Sequence, residues 1–422
     1  VTTQTVAPVA SDVVAGLLGA GFNGAVRRPG DPEYDVQRKS VIPTVDARPL
    51  VVAEASVRTD VQAAVRTARA YGLPIAVQAT GHGTRVPADG GILLKTTPMA
   101  SVLIDPERRI AKVGPGARWG AVLDAARQFG LAPLSGSHRD VGVTGYTLGG
   151  GVGWLARRYG FAADSVIRAE VVTADGRFVT ATVEQHPDLF WALRGGTGNF
   201  GVVTSLEFRL YPVRQVHAGI VYHGIDRAAG ILRRYREWTA TIPNELSTAV
   251  VLTKLADGRP AVAIKVMHAG DAEVAEHLLK PLLEVAGPRL AGELATIEYA
   301  DAAMGGTPAR HLDFLDDLPD TLIEALTTDE SAPTVEIRHW GGAMANPGPG
   351  AGPVGHRGAS YSLIVDREMP HLPNSGRTFV NFLGDPDRAD TAYAPADLCR
   401  LREVKRAYDP ANVFHLNANI RP

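Results

Sequence analysis

Two stretches carry residue types that could do chemistry. In "VQATGHGTRV", residues 77–86, His82 stands between Gly81 and Gly83, directly after an apolar, strand-like run. Glycines on both sides allow a tight turn and a close approach to another surface. A histidine needed only for a core would sit better on a regular element. Backbone N–H groups in such a turn can also converge on a phosphate as a nest. The second stretch, "LSGSHRDVGVTGYTLGGGVGWLARRYG", residues 134–160, holds eight glycines. Gly149, Gly150, Gly151 and Gly153 are too many for one turn, and Val141, Val143, Leu148 and Trp154 around them are not loop-like. The pattern favours backbone laid against a large flat ligand over a flexible loop.

Other chemistry-bearing patterns lead nowhere. "GAGFNG", residues 19–24, fits the dinucleotide pattern G-x-G-x-x-G. That mechanism needs a strand before it and a helix after it. Here "SDVVAGLL" reads as a helix and "AVRRPGDPEYD" is broken by prolines, so a helix end and a loop are expected. The twelve histidines show no H-E-x-x-H spacing, and no metal is expected. Cys399 is the one cysteine, which rules out a disulfide within the chain.

The elements that must position these residues follow from periodicity. "PLVVAEAS" reads as a strand and "RTDVQAAVRTARAYG" as an amphipathic helix with Val61, Val65 and Ala68 on one face. "LPIAVQAT" is the strand that runs into the turn at His82, and "GILLK", "SVLID" and "RIAKVGPG" are short strands. "RWGAVLDAARQFG" is a helix stopped by Gly130. "SVIRAEVVTADGRFVTA" is a hairpin turning at Asp175-Gly176, followed by a strand in "GNFGVVTSLEFRLYPV". Beyond about residue 213 longer helices and strands alternate, and the chain closes with the helix "PADLCRLREVKRAYDP" and an extended tail, "ANVFHLNANIRP".

With 422 residues the chain is long enough for two large domains. Its 21% charged and 45% apolar residues are those of an ordinary soluble protein. A net charge of −2 without a basic run argues against nucleic acid or an anionic membrane as partner. No stretch approaches the ~20 apolar residues of a membrane span. The opening "VTTQTVAPVASDVV" lacks a basic n-region and an apolar h-region, so a cytoplasmic protein is expected.

Three blocks resemble one family. They are "RTDVQAAVRTARAYGLPIAVQATGHGTR"; "SGSHRDVGVTGYTLGGGVGWLARRYGFAADSVIRAEVVTADG" with "DLFWALRGGTGNFGVVTSLEFRLYPV"; and the tail "LREVKRAYDPANVFHLNANIRP". They are similar, in the correct order, to the berberine bridge enzyme-like oxidases of the vanillyl-alcohol oxidase (PCMH-type FAD-binding) superfamily, above all to the bacterial 6-hydroxy-D-nicotine oxidase-like branch. The resemblance implies an α+β, two-domain PCMH-type fold. An FAD-binding domain would span 1–212 (core about 43–212), an antiparallel-sheet substrate domain 213–394, and a segment 395–422 would return to the FAD domain.

The resemblance also assigns residues. FAD is the implied cofactor, and His82 falls on the position that bonds covalently to the flavin 8-methyl carbon. His138 stands where many members have a second attaching cysteine, which implies a monocovalent flavin and leaves His138 as a steric or hydrogen-bonding contact. Gln78, Ala79, Thr80, Gly81 and Gly83 would cradle the pyrophosphate through backbone N–H groups. Gln78 and Thr80 replace the usual arginine and glycine, so a charge contact is missing. Ser137, Val141, Gly142, Thr144, Gly145, Gly149, Gly150 and Gly151 would line the other side, Val203 would lie near the adenine, and Asn417 and Asn419 would close over the isoalloxazine. Val141 corresponds to the family's oxygen-access position.

Candidates for substrate chemistry are Tyr146, His339, Tyr361 and Asn381. In "TVEIRHWGGAM", strand alternation puts Glu336, Arg338 and Trp340 on one face and His339 on the other. Leu363 and Ile364 occupy positions where plant members carry a Gln or Glu, and Phe379 replaces a motif tyrosine. The implied activity is an FAD-dependent oxidase: hydride passes from a small organic substrate (a secondary-metabolite alcohol, amine or sugar) to the flavin, and O₂ becomes H₂O₂. The alternative is a flavin-bearing scaffold that catalyses a non-redox cyclisation or rearrangement.

Overall fold

The computed structural model describes residues 8–328, 333–369, 372 and 374–422. Its strands form three sheets. In the first, β1 (Ala25–Arg27), β2 (Val51–Glu54), β3 (Ile75–Gln78) and β4 (Ile92–Lys95) run in the order β1-β2-β4-β3, with β2 and β3 both parallel to β4. A parallel neighbour cannot be reached by a hairpin, because the chain must first return along the sheet, which takes a dozen or more residues. Helix Arg58–Ala70 makes that return between β2 and β3, with Val61, Ala64, Val65 and Ala68 buried. Between β3 and β4 the return is the loop 79–91, which carries His82. Topology therefore demands the length of this loop. It also leaves the C-terminal end of a parallel strand, where open α/β sheets place their ligands.

"GAGFNG" follows helix Ala10–Gly19 rather than a strand. Its Asn23 N–H donates to Asp60 at 2.9 Å, so the turn packs on the start of helix Arg58–Ala70.

The second sheet is antiparallel throughout. It contains β5 (Val102–Asp105), β6 (Ile110–Val113), β7 (Val166–Val172), β8 (Phe178–Ala181) and β9 (Val202–Arg209) in the order β5-β6-β9-β7-β8. The three short strands expected in "GILLK", "SVLID" and "RIAKVGPG" divide between two sheets: β4 lies in the first, while β5 and β6 pair in the second, where β6 takes β9, distant in sequence, as its second partner.

The third sheet is also antiparallel. Its strands are β10 (Gln215–Gly224), β11 (Leu246–Lys254), β12 (Pro260–His268), β13 (Ala291–Glu298), β14 (His311–Leu315), β15 (Val335–His339) and β16 (Tyr361–Val365), in the order β13-β10-β12-β11-β15-β16-β14. Helices Ala228–Thr239, Ala272–Ala286 and Asp320–Thr327 cover one face, where Ile231, Leu279 and Ile323 share a core with Val250, Ile264, Ile337 and Leu363. On the other face Ala249 and Met267 join the core of the second sheet. The fold is α+β in two domains. No helix among the described residues is long and apolar enough to cross a membrane.

Candidate active site

A cavity of about 730 Å³ is lined from the loop after β3, the glycine-rich segment, residues 197–203, the third sheet and the tail. Pockets that enclose sizeable organic ligands fall in the range of roughly 300–1,000 Å³. Gln78 to Gly83, Ser137, His138, Val141, Gly142, Thr144, Gly145, Tyr146, Gly149, Val203, Asn381 and Asn417 all line it.

His82 is half-buried, with Nδ1 2.9 Å from the Thr80 hydroxyl, which also accepts from the Gly142 N–H at 3.3 Å. Thr80, in a position the family gives to glycine, thus ties the histidine loop to the glycine-rich segment. Burial, helped by His138 and Arg118, lowers the His82 pKa and favours the neutral imidazole. The two imidazole centroids lie 6.1 Å apart, and His138 is exposed at the rim. Gln78 is buried and donates to the Lys39 carbonyl at 3.1 Å.

The glycine-rich segment divides in a way its composition does not show. Helix Val143–Leu148 carries Gly145, where an added Cβ would meet no protein atom within 4 Å and would stand in the cavity. Gly150 and Gly151 do not line the cavity. At Gly150 a Cβ would press on Phe379 and Val354, and at Gly151 it would overlap the Tyr146 ring. Gly136 closes another side of that ring, where an added Cβ would lie 2.9 Å from Cε2. The expectation that Gly150 and Gly151 face a ligand is therefore corrected: their missing side chains make room for protein, chiefly for the Tyr146 slot. Trp119 meets Tyr146 edge-on at 5.4 Å. The Tyr146 hydroxyl is buried without a hydrogen-bond partner among the described residues, and burial pushes its pKa well up.

Asn381 lines the cavity, but both ends of its amide are engaged. Oδ1 accepts from Gly151 N–H at 3.0 Å and Nδ2 donates to the Tyr146 carbonyl at 3.1 Å. From its place on the cavity wall it thus ties down the backbone on either side of Leu148. His339 and Tyr361 are corrected outright. Both point to the helix-covered face of the third sheet, outside the cavity. Tyr361 bonds the Thr239 hydroxyl at 2.6 Å, and the His339 ring lies tilted against it, centroids 5.7 Å apart, and accepts from Arg157 at 3.1 Å. Strand alternation explains this, since Glu336, Arg338 and Ile364 take the cavity face instead.

The tail reaches the cavity through Phe414, Leu416, Asn417 and Ala418. Asn199, which sequence reading missed, holds it: Nδ2 donates to the Ala418 carbonyl at 3.0 Å and Oδ1 accepts from Ile420 N–H at 2.9 Å. The fully buried Lys405–Asp409 pair, at 2.7 Å, fixes the turn before it through the Asn199 and Phe414 carbonyls. A lysine four residues ahead of an aspartate at a helix end was the available signal. Asn417 borders the cavity, whereas Asn419 does not.

FAD fits this lining. Thr96, Thr144, Tyr146 and Asn417 each bring a buried polar atom with no partner among the described residues, and Gly83, Gly145 and Gly198 leave open space where side chains would stand. Residues 49–182 match the FAD binding domain family, and residues 372–421 match the berberine and berberine-like family. The (R)-6-hydroxynicotine oxidase of Paenarthrobacter nicotinovorans is 30% identical over 89% of this chain and 92% of its own length. The chain belongs to the berberine bridge enzyme-like FAD-linked oxidoreductases. The xylooligosaccharide oxidase of Thermothelomyces thermophilus is 26% identical over 89% of this chain and 87% of its own. The crystal structure of 6-hydroxy-D-nicotine oxidase from Arthrobacter nicotinovorans superposes with a TM-score of 0.84 at 26% identity, over 96% of this chain and 99% of that one. This berberine bridge enzyme-like chain is accordingly an FAD-dependent oxidoreductase. Among the described residues no group of three or more His, Cys, Asp or Glu side chains could hold a metal.

Proposed function

We propose that this oxidoreductase is an oxidase in which FAD supplies the redox chemistry, taking hydride from a small alcohol, amine or sugar of secondary metabolism and passing the electrons to O₂ as H₂O₂. Residues 1–212 with 395–422 form the FAD-binding unit and 213–394 the substrate domain. The observation that carries the reading is His82: a neutral imidazole between two glycines, held by Thr80, on a cavity whose facing wall comes from another sheet. His82 anchors the cofactor covalently and alone, since His138 stands at the second attachment position. The backbone of residues 78–83 takes the pyrophosphate, Val203 borders the adenine and Asn417 the ring system. Val141 guards oxygen access.

A second reading, a flavin-bearing scaffold for a non-redox cyclisation, is favoured by the lack of a free base among the described third-sheet residues that line the cavity. The carboxylate of Glu336 is held by Lys265, Thr307 and Arg338 together. Anaerobic mixing with substrate separates the two. Bleaching of the flavin is expected; turnover with the flavin oxidised throughout would overturn the oxidase in favour of the scaffold.

A further inference from the structure

The third sheet brings an unbalanced set of charges to the cavity wall. Ala249 on β11 pairs with Lys265 on β12 and with Arg338 on β15, so the two cations stand in one row across three strands with a methyl group between them. Glu336, two residues along β15, takes both. Lys265 Nζ reaches its Oε2 at 3.0 Å, and Arg338 reaches its Oε1 through Nη2 at 2.8 Å and Nε at 3.1 Å. All three are nearly buried, with side-chain exposures of 9% for Lys265, 1% for Glu336 and 11% for Arg338. Two cations against one carboxylate leave a charge of +1. Such a surplus in a place screened from water is costly unless an anion answers it.

The surplus faces the cavity at Arg338. Its guanidinium lies 4.4 Å over the Trp154 ring, both Nε and Nη2 are spent on Glu336, and Nη1 has no partner among the described residues. Arg85, a second cation on the lining, donates only to the Leu383 and Thr84 carbonyls and has no carboxylate partner among the described residues. Glu336 is the lone carboxylate in the cavity lining among those residues. We propose that Arg338, carrying the surplus charge of the Lys265–Glu336–Arg338 cluster, binds a carboxylate on the substrate, so that this enzyme acts on an anionic small molecule. The guanidinium is pre-oriented by Glu336 and by the Trp154 face, and offers its remaining edge to a planar oxyanion. This rests on the reading of the cavity as the place where substrate meets FAD.

The test uses holoenzyme and two matched probes, benzoate and benzamide, which share a ring and differ in charge. Binding is read by flavin absorbance changes and by calorimetry. Benzoate is expected to bind at least about tenfold tighter than benzamide, with the preference lost in Arg338→Met and partly kept in Arg338→Lys. Glu336→Gln, which removes the cluster's one anion and keeps both cations, is expected to tighten benzoate and guards against a Met variant that does not fold. Equal affinities in the wild type, no binding of either probe, a preference that survives Arg338→Met, or no gain in Glu336→Gln each overturns the proposal. If Arg338→Met only lowers the flavin potential, its charge serves the cofactor and the proposal also fails. The flavin reading has its own readout, the absorbance of chain-bound flavin, and calorimetry answers the charge question without it.

Discussion

Asn381 clasps the backbone of Gly151, its Oδ1 accepting the glycine N–H at 3.0 Å while its Nδ2 donates to the carbonyl of Tyr146 at 3.1 Å. One amide from late in the chain thereby holds the segment that seats the tyrosine. Asn381→Ala leaves a buried N–H and a buried C=O unsatisfied, an expected loss of about 1–3 kcal/mol. Thermal unfolding measures it, and Asn381→Asp, which keeps the acceptor and loses the donor, should fall between. A wild-type melting curve for the alanine variant would dismiss the clasp.

Two glycine-to-alanine changes should behave oppositely. At Gly151, with φ of +72° and the Tyr146 ring against it, alanine is expected to destabilise the fold. At Gly145, inside a helix and open to the cavity, alanine should raise the stability of the flavin-free chain by up to about 1 kcal/mol. The same methyl should weaken flavin retention. Melting temperature and flavin-to-protein ratio, measured on both variants, decide the matter.

Acid precipitation tests the anchor. Yellow fluorescence should stay with the wild-type chain on a denaturing gel and leave with the supernatant in His82→Ala. Flavin that comes free from the wild type would exclude covalent attachment through His82.

What the sequence disclosed, and what it hid, follows the reach of the interactions. His82 and its glycines were legible because their chemistry is local, and so was the strand that delivers them. The tail was legible through its motif. Alternation along β15 also placed Glu336 and Arg338 together correctly. The division of glycine roles was not legible, since whether Gly145 or Gly151 faces a ligand depends on where Tyr146 and Phe379 pack. The cationic row was hidden for the same reason: Lys265 meets Glu336 only through the register of three strands. Strand β13 was missed because its Ala, Gly and Glu have low strand propensity and it lies at the sheet edge.

Oxygen access is tested at Val141, half-buried on the cavity wall. A leucine there adds one methylene to a space in which small volumes matter. Stopped-flow mixing of reduced enzyme with air-saturated buffer should show reoxidation slowed by about tenfold or more, a barrier change of about 1.4 kcal/mol, with flavin reduction little changed. A leucine variant that matches the wild type would relieve Val141 of this role.

Acid sensitivity should be traceable to His339. Burial, reinforced by Arg157, lowers its pKa to about 3. The folded pKa lies below the unfolded value, so between about pH 6 and pH 3 the unfolded chain binds the extra proton, and this group removes roughly 1.4 kcal/mol of stability per pH unit as pH falls. Above that window its contribution is complete. His339→Gln, which can still accept from Arg157, should flatten the dependence in urea unfolding measured across these pH values. An unchanged slope would assign the acid lability elsewhere.

The fastening of the tail by Asn199 and by the Lys405–Asp409 pair also sets an order of assembly. Residues from 38–47 and from 414–418 line the same cavity, so its wall joins parts of the described chain that lie far apart in sequence. Until residues 414–418 are made and docked, a nascent chain has the histidine loop but not the segment that closes over it. The third sheet and its helices precede that segment in sequence and need not wait for it. Closure of the cavity therefore follows synthesis of the tail, and a cell short of flavin is expected to accumulate chains whose unfinished part is the seam where the tail docks.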